Sequence, residues 1–254
     1  MTAVMQLLEA DVRRLWCAVR FIDGATQRPV QDRLVVTAPG VRWTRNPSGL
    51  YIALTVAQPA REAELAAYEN AFNPVPAVAP LRLEGTVTDP TGRFLTRRFA
   101  VDLPRADAPA GPTAPRFLPH DVALDLAPAA PVLGTWAVLR ASVRRAGQPA
   151  PHAALRVQRS GGGAPLGRGM SDARGEALIA VAGIAQVTVG AGELVVEREI
   201  DAEIVVSFDA ASPATANPAV PDPDALAASA TAIRTTVPRR LASGRTESLL
   251  IELP

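Results

Sequence analysis

The chain has 254 residues, the length of one large or two ordinary domains, and 48% of them are hydrophobic, enough to bury a core. With 26 basic and 25 acidic residues the formal net charge is +1, so no global field draws nucleic acid or an anionic membrane. Every basic residue is Arg, a single Cys excludes an internal disulfide, and 4% aromatics with 24 Pro and 18 Gly predict many short elements and turns rather than long helices.

Residues 4–16 are predicted as a short amphipathic helix with Met5, Leu8, Val12 and Leu15 on one face. Glu9, Asp11, Arg13 and Arg14 interrupt any signal-like core, so a cytoplasmic protein is expected, unless a leader was removed or the chain leaves the cell through a dedicated system or within an assembled particle. No apolar run approaches the roughly 20 residues of a membrane span. Alternation from Leu15 to Ile22 predicts a strand, with Cys17 a buried, inert thiol. A turn at Asp23 to Thr26 leads to a strand over Asp32–Ala38. Asn46-Pro47-Ser48-Gly49 is a turn with Gly where φ > 0 is needed, and Leu50–Val56 follows as a strand. Ala60 to Tyr68 is rich in helix formers, and Asn73-Pro74 bounds a helical insertion near 60–72. Leu81–Thr88, the turn Asp89-Pro90-Thr91-Gly92 and the return Arg93–Leu103 form the clearest hairpin. Residues 104–116, rich in Pro, Ala and Asp, read as a linker.

The second half repeats this grammar. Strands are predicted over Val132–Val143, Ala154–Gln158, Glu176–Val181, Val187–Val189 and Glu193–Val206. The turns lie at 144–149 and at Ser171-Asp172-Ala173-Arg174-Gly175. Leu155 and Val157 face the core because they alternate with Arg156 and Gln158. Asp222-Pro223-Asp224 caps a helix reaching Ile233, and Ser248–Leu253 is an apolar strand that must pair with a sheet edge, in this chain or in a neighbour.

The two halves share one layout. A strand through Val19 and Phe21 leads to a turn ending in Pro29, then to a strand and to Asn46–Gly49. A strand through Leu139, Ala141 and Val143 leads to Gly147-Gln148-Pro149, then to Ala154 and Val157 and to Asp172–Gly175. This layout resembles the carboxypeptidase regulatory-like, or transthyretin-like, modules, small β-sandwiches with a Gly-x-Pro turn, a strand and an Asp-x-x-Gly turn. The second half matches better; the first has Asn46 for the usual Asp and carries the insertion. The resemblance implies non-catalytic modules of adhesion or assembly, and it carries over no catalytic residue.

Sites of chemistry are scarce. His120 and His152 stand about thirty residues apart without HExxH or a Cys pair. No G-x-S-x-G elbow is present, and Ser171-Asp172 reads as turn chemistry. Gly161-Gly162-Gly163 and Gly167-Arg168-Gly169 read as a flexible hairpin tip rather than a phosphate loop. The alternating acids Glu193, Glu197, Glu199, Asp201 and Glu203 read as a solvated sheet face in preference to a Ca²⁺ site. Arg13-Arg14, Arg97-Arg98, Arg144-Arg145 and Arg239-Arg240 are scattered doublets without the stacking aromatics of a nucleic-acid face.

The expected fold is all-β: two antiparallel immunoglobulin-like or transthyretin-like sandwiches, residues 1–112 and 113–254, with a short helical insertion and a C-terminal strand. No enzyme activity, cofactor, metal, nucleic acid or membrane span is expected. The expected partners are other protein subunits, a second copy of the chain included, in a larger assembly such as a phage-tail-like or contractile injection particle; the alternative is a carbohydrate- or ligand-binding module. Trp16, Trp43 and Trp136 are expected in cores; if exposed, Trp43 with its neighbours Arg42 and Arg45 is a candidate interaction site, as are Leu249, Leu250 and Ile251 of the last strand.

Overall fold

The computed structural model describes residues 16–63, 65, 81–103, 118–184, 186–188, 195–197, 199–210 and 221–254. The helix expected over 4–16, the linker 104–116 and most of the insertion at 60–72 lie outside them; the insertion is seen to enter through a 3-10 turn, Pro59–Arg61. The described chain is built almost wholly of strands, arranged as two β-sandwich units.

The first unit comprises β1 (Cys17–Asp23), β2 (Val35–Thr37), β3 (Val41–Arg45), β4 (Tyr51–Val56), β5 (Leu81–Thr88), β6 (Arg97–Leu103) and β7 (His120–Leu124). Its sheets have the orders β3-β4-β1-β7 and β2-β5-β6. Alternation sends Cys17, Val19 and Phe21 of β1 inward. There Phe21 meets Tyr51 and Phe99 edge-to-face at ring separations of 5.3 and 5.6 Å. The buried Tyr51 hydroxyl accepts from Leu34 N (2.7 Å) and donates to Leu34 O (3.1 Å), so burial strands no polar atom there. The strand β3 escaped prediction: its apolar alternation is only two residues long, Val41 and Trp43 among Arg42, Thr44 and Arg45, and a bulge between Arg42 and Trp43 shifts its register on β4.

The second unit comprises β8 (Ala137–Arg145), β9 (Gln148–Pro149), β10 (Ala154–Arg159), β11 (Gly167–Met170), β12 (Glu176–Val181), the hairpin β13 (Gln186–Thr188) and β14 (Val195–Glu197), β15 (Glu199–Phe208), α1 (Pro223–Ala228), β16 (Ile233–Ala242) and β17 (Thr246–Leu253). Sheets β11-β10-β15-β16 and β12-β8-β17 enclose Leu139, Leu155, Val157, Ile179 and Ile204. Leu155 and Val157 face this core as the alternation predicts.

The internal repeat is visible in the pairing. In each unit the opening strand lies between an antiparallel partner and a parallel one: β1 between β4 and β7, β8 between β12 and β17. Each opposing sheet carries a matching antiparallel ladder, β2-β5-β6 and β10-β15-β16. The units differ in the third strand, since β3 pairs with β4 whereas β11 pairs with β10. The turns repeat at atomic detail. Asn46, Asp89 and Asp172 each accept from the backbone N–H four residues on, Leu50, Arg93 and Glu176. Gly49, Gly92 and Gly175, three residues on, hold φ of 82°, 73° and 79°.

Several expectations are corrected. The strand β7 follows the proposed 112/113 boundary yet pairs with β1, so the pairing of the first unit continues to Leu124. A parallel partner reached by a long crossover leaves no local signature, which is why the Pro-rich stretch looked like the border. Gly167-Arg168-Gly169 is strand β11, not a hairpin tip. A Cβ at Gly169 would stand 2.8 Å from Leu178 O, so glycine there lets β11 close against β12. The helix α1 stops at Ala228 rather than reaching Ile233, and the C-terminal strand is preceded by the ten-residue strand β16 (Ile233–Ala242), which was not expected. Its edge position tolerates Pro238.

The units are joined by apolar contact. The residues of β8 and β12 that turn away from the second core, Val138, Leu178 and Ala180, are buried in the hydrophobic cluster of the first unit. Leu178 has no exposed surface.

Candidate functional site

The expected interaction residues do not form one surface. Trp43 packs edge-to-face on Phe99 at 6.1 Å, and its indole Nε1 is enclosed without a hydrogen-bond partner. Arg45 donates to Gln31 O at 2.8 Å, and Arg42 is exposed. On β17, Leu249 and Ile251 are buried in the second core, because the strand pairs with β8 over Thr246–Leu253. Only Leu250 of that trio faces outward, 66% exposed.

His120 lies on β7 of the first unit and His152 in the turn before β10 of the second. Burial lowers both imidazole pKa values, partly offset by Asp102 and Asp121 at His120 and by Asp172 at His152. The turns bring Ser171 beside His152: His152 N donates to Ser171 O at 3.0 Å. The fully buried Ser171 hydroxyl donates to Ala150 O (2.7 Å) and accepts from Ala153 N (2.8 Å). Its proton is therefore committed to a backbone carbonyl, and its role here is to tie two turns together. On β15, Asp201 pairs with Arg240 and Glu199 with Arg245, as befits a solvated sheet face. Among the described residues no group of three or more His, Cys, Asp or Glu gathers to hold a metal ion.

The densest polar constellation was not anticipated. Arg97 of β6, only 1% exposed, donates to Ala123 O (2.7 Å), Asp222 Oδ1 (3.3 Å) and Asp224 Oδ2 (2.6 Å). Arg168 of β11 donates to Asp125 Oδ1 (2.8 Å) and Asp224 Oδ1 (3.2 Å). Asp125, just after β7, is buried. Burial opposes the charge on Arg168, but Asp125 and Asp224 outweigh it and raise its pKa. Burial likewise works against ionised Asp224, but Arg97 and Arg168 hold its carboxyl below the usual range.

Local geometry aims these groups. Asp222 is the N-cap of α1 and accepts from Asp224 N and Ala225 N, with Pro223 at the helix start. Arg98 N donates to Pro221 O at 2.7 Å and pins the segment to β6. A Cβ at Gly24 would lie 2.9 Å from Arg168 Cγ, so the stem of Arg168 crosses the first unit where there is no side chain. The cap was legible in Asp222-Pro223-Asp224; its partners were not, since positions 97, 125, 168 and 224 share no spacing.

Beneath α1 the outer face of the β11-β10-β15-β16 sheet forms a groove of about 220 Å³. Arg156, Arg168 and Arg234 line it, with Asp224 the one acid and Ala154 and Val205 on its floor.

No family model matches the chain, and no curated protein matches it. Among solved structures it is similar to the crystal structure of GBS52, the minor pilin of the gram-positive pathogen Streptococcus agalactiae, at 10% identity and a TM-score of 0.27. The alignment spans 83% of this chain and 66% of the pilin, a little under two thirds of the pilin's length. A likeness this low carries no functional inference.

Proposed function

We propose that the chain is a non-catalytic structural or adaptor subunit that holds other proteins in a larger assembly, its two units being degenerate copies of a transthyretin-like module. The observation that supports this most is a network of paired charges built around the buried Arg97 and Asp125. Arg97, Arg168, Asp125, Asp222 and Asp224 pair with one another between the first unit, the second unit and the α1 segment. Mutually paired charges lack the unsatisfied, strained chemistry of a catalytic group and instead fix two modules in one orientation. A rigid tandem of this kind suits a spacer or adaptor, for example in a particle of the contractile injection type assembled in the cytoplasm.

The test is to tag the chain at its own locus in its native host and sediment the native extract. A subunit travels in a particle much larger than the monomer, with partner proteins in fixed stoichiometry. Recovery only as free monomer, or enrichment on glycan resins instead, contradicts the reading.

A further inference from the structure

Strands β10 and β11 are antiparallel, and their register sets Arg156 directly opposite Arg168. Both line the groove, since Leu155 and Val157 take the inward positions. Like charges at directly opposite positions destabilise a sheet. Arg168 is neutralised by Asp125 and Asp224. Arg156 is exposed and makes no ion pair among the described residues. Glu203 sits one row along the same face, opposite Gln158, and among the described residues no salt bridge joins it to Arg156. Across the groove Arg234 uses only its Nη2, which donates to Ala227 O and Ser229 O. Asp224 is already bound by Arg97 and Arg168. The groove is thus a basic recess with apolar walls and one uncommitted guanidinium at its floor.

At about 220 Å³ it is smaller than the roughly 300–1,000 Å³ of ordinary small-molecule pockets and suits a single side chain with a short stem. A planar carboxylate matches the guanidinium fork of Arg156. A guanidinium left without an ion pair in a recess lined by two others marks a candidate functional position. We propose that this groove receives a carboxylate-bearing segment of a partner protein, anchored on Arg156 and flanked by Arg234. The proposal rests on the reading of the chain as an assembly subunit, and the two fail separately: a groove that does not bind leaves the sedimentation result untouched.

The experiment titrates the full chain with an acetylated, amidated tetraglutamate peptide and follows backbone amide shifts. Tetraglutamine and inorganic phosphate are run in parallel. Saturable shifts confined to β10, β11 and α1 are expected with tetraglutamate, and none with tetraglutamine. Arg156→Gln should weaken binding by about tenfold or more, the scale of one lost charge-assisted contact. Arg156→Lys should recover part of the loss, and Arg28→Gln on the first unit should change nothing. Because Arg156 is exposed, its variants should melt no lower than the parent. Equal binding of tetraglutamine, full affinity in Arg156→Gln, or phosphate competing as well as the peptide would overturn the proposal, the last by marking a free-anion site.

Discussion

The Arg97 guanidinium donates to Asp224 Oδ2 at 2.6 Å across 127 residues of sequence, joining β6 of the first sandwich to α1 of the second unit. Arg97 is enclosed while Asp224 keeps an exposed flank, so the pair is buried on one side. Asp224→Asn removes the charge but leaves Asp222 and Ala123 O to Arg97. It should cost about 1–2 kcal/mol, the charge assistance of two hydrogen bonds, from Arg97 and Arg168, discounted for solvent. Arg97→Leu should cost more, because Asp222 loses its ion-pair partner, Asp224 keeps only Arg168 and Ala123 O loses its donor. Denaturant midpoints of both variants check this, and Asp224→Asn combined with Arg168→Gln should be non-additive.

Val157 has no exposed surface and faces Ile204 across the ladder in the second core. Val157→Asp would bury an unpaired charge and should cost several kcal/mol, on the order of 3–5. The neighbouring exposed Arg156→Gln should stay within about 0.5 kcal/mol. Equal melting of the two variants would show that the register is wrong.

The strand β17 contributes Leu249, Ile251 and Leu253 to the second core and pairs within its own chain. Each buried side chain is worth roughly 1.5–3 kcal/mol. Deleting residues 246–254 should therefore destabilise the isolated monomer severely. Leu250→Ser should leave melting unchanged, because Leu250 faces away from the core. A truncated monomer that melts like the parent would contradict the internal pairing.

Much of this fold was legible where turns carry it. Asn46, Asp89 and Asp172, each with Gly three residues on, announce the three tight turns, and alternation around Val157 sets the register of β10. Strands without an apolar rhythm were not legible. The strand β16 shows Arg, Thr and Pro at alternate positions, because its edge position asks only for backbone pairing. The strand β7 was equally silent, and β17, legible from Ser248 to Leu253 as a strand, did not announce its parallel partner β8, since nothing local encodes a crossover. Of the candidate site, Asp222 was visible as a cap, while Arg97 and Arg168 looked like one doublet among many and one residue between glycines.

His120 and His152 have imidazole pKa values lowered by burial from 6.5. As pH falls through about 6.5 the unfolded chain binds these protons first. Stability is therefore full above that pH and declines below it. The Asp89 carboxyl is opposed by burial but held below 3.8 by hydrogen bonds from Thr91, Phe94 and Arg93, and Asp224 is lowered too. Their contribution is present above about pH 4 and is lost in a second, more acidic window. Melting temperatures from pH 8 to 3 should show both declines. His152→Asn, which tolerates the φ of 62°, should flatten the first.

Cys17 is buried on β1, and burial pushes its thiol up to about 12, partly offset by a backbone hydrogen bond at Ala53. Iodoacetamide at pH 8 should leave the native chain unmodified and label it only under denaturing conditions. Rapid native labelling would show that the thiol is accessible.

Calorimetry of the intact chain decides whether the two sandwiches form one rigid body. Leu178 and Val138 of the second unit are buried in the first unit's cluster, and Arg97, Arg168, Asp125 and Asp224 pair across the same junction. The chain should melt in a single transition with equal calorimetric and van't Hoff enthalpies, and Leu178→Asp should split it in two. Two independent transitions in the unmodified chain, unmoved by Leu178→Asp, would contradict a rigid tandem and the adaptor role built on it.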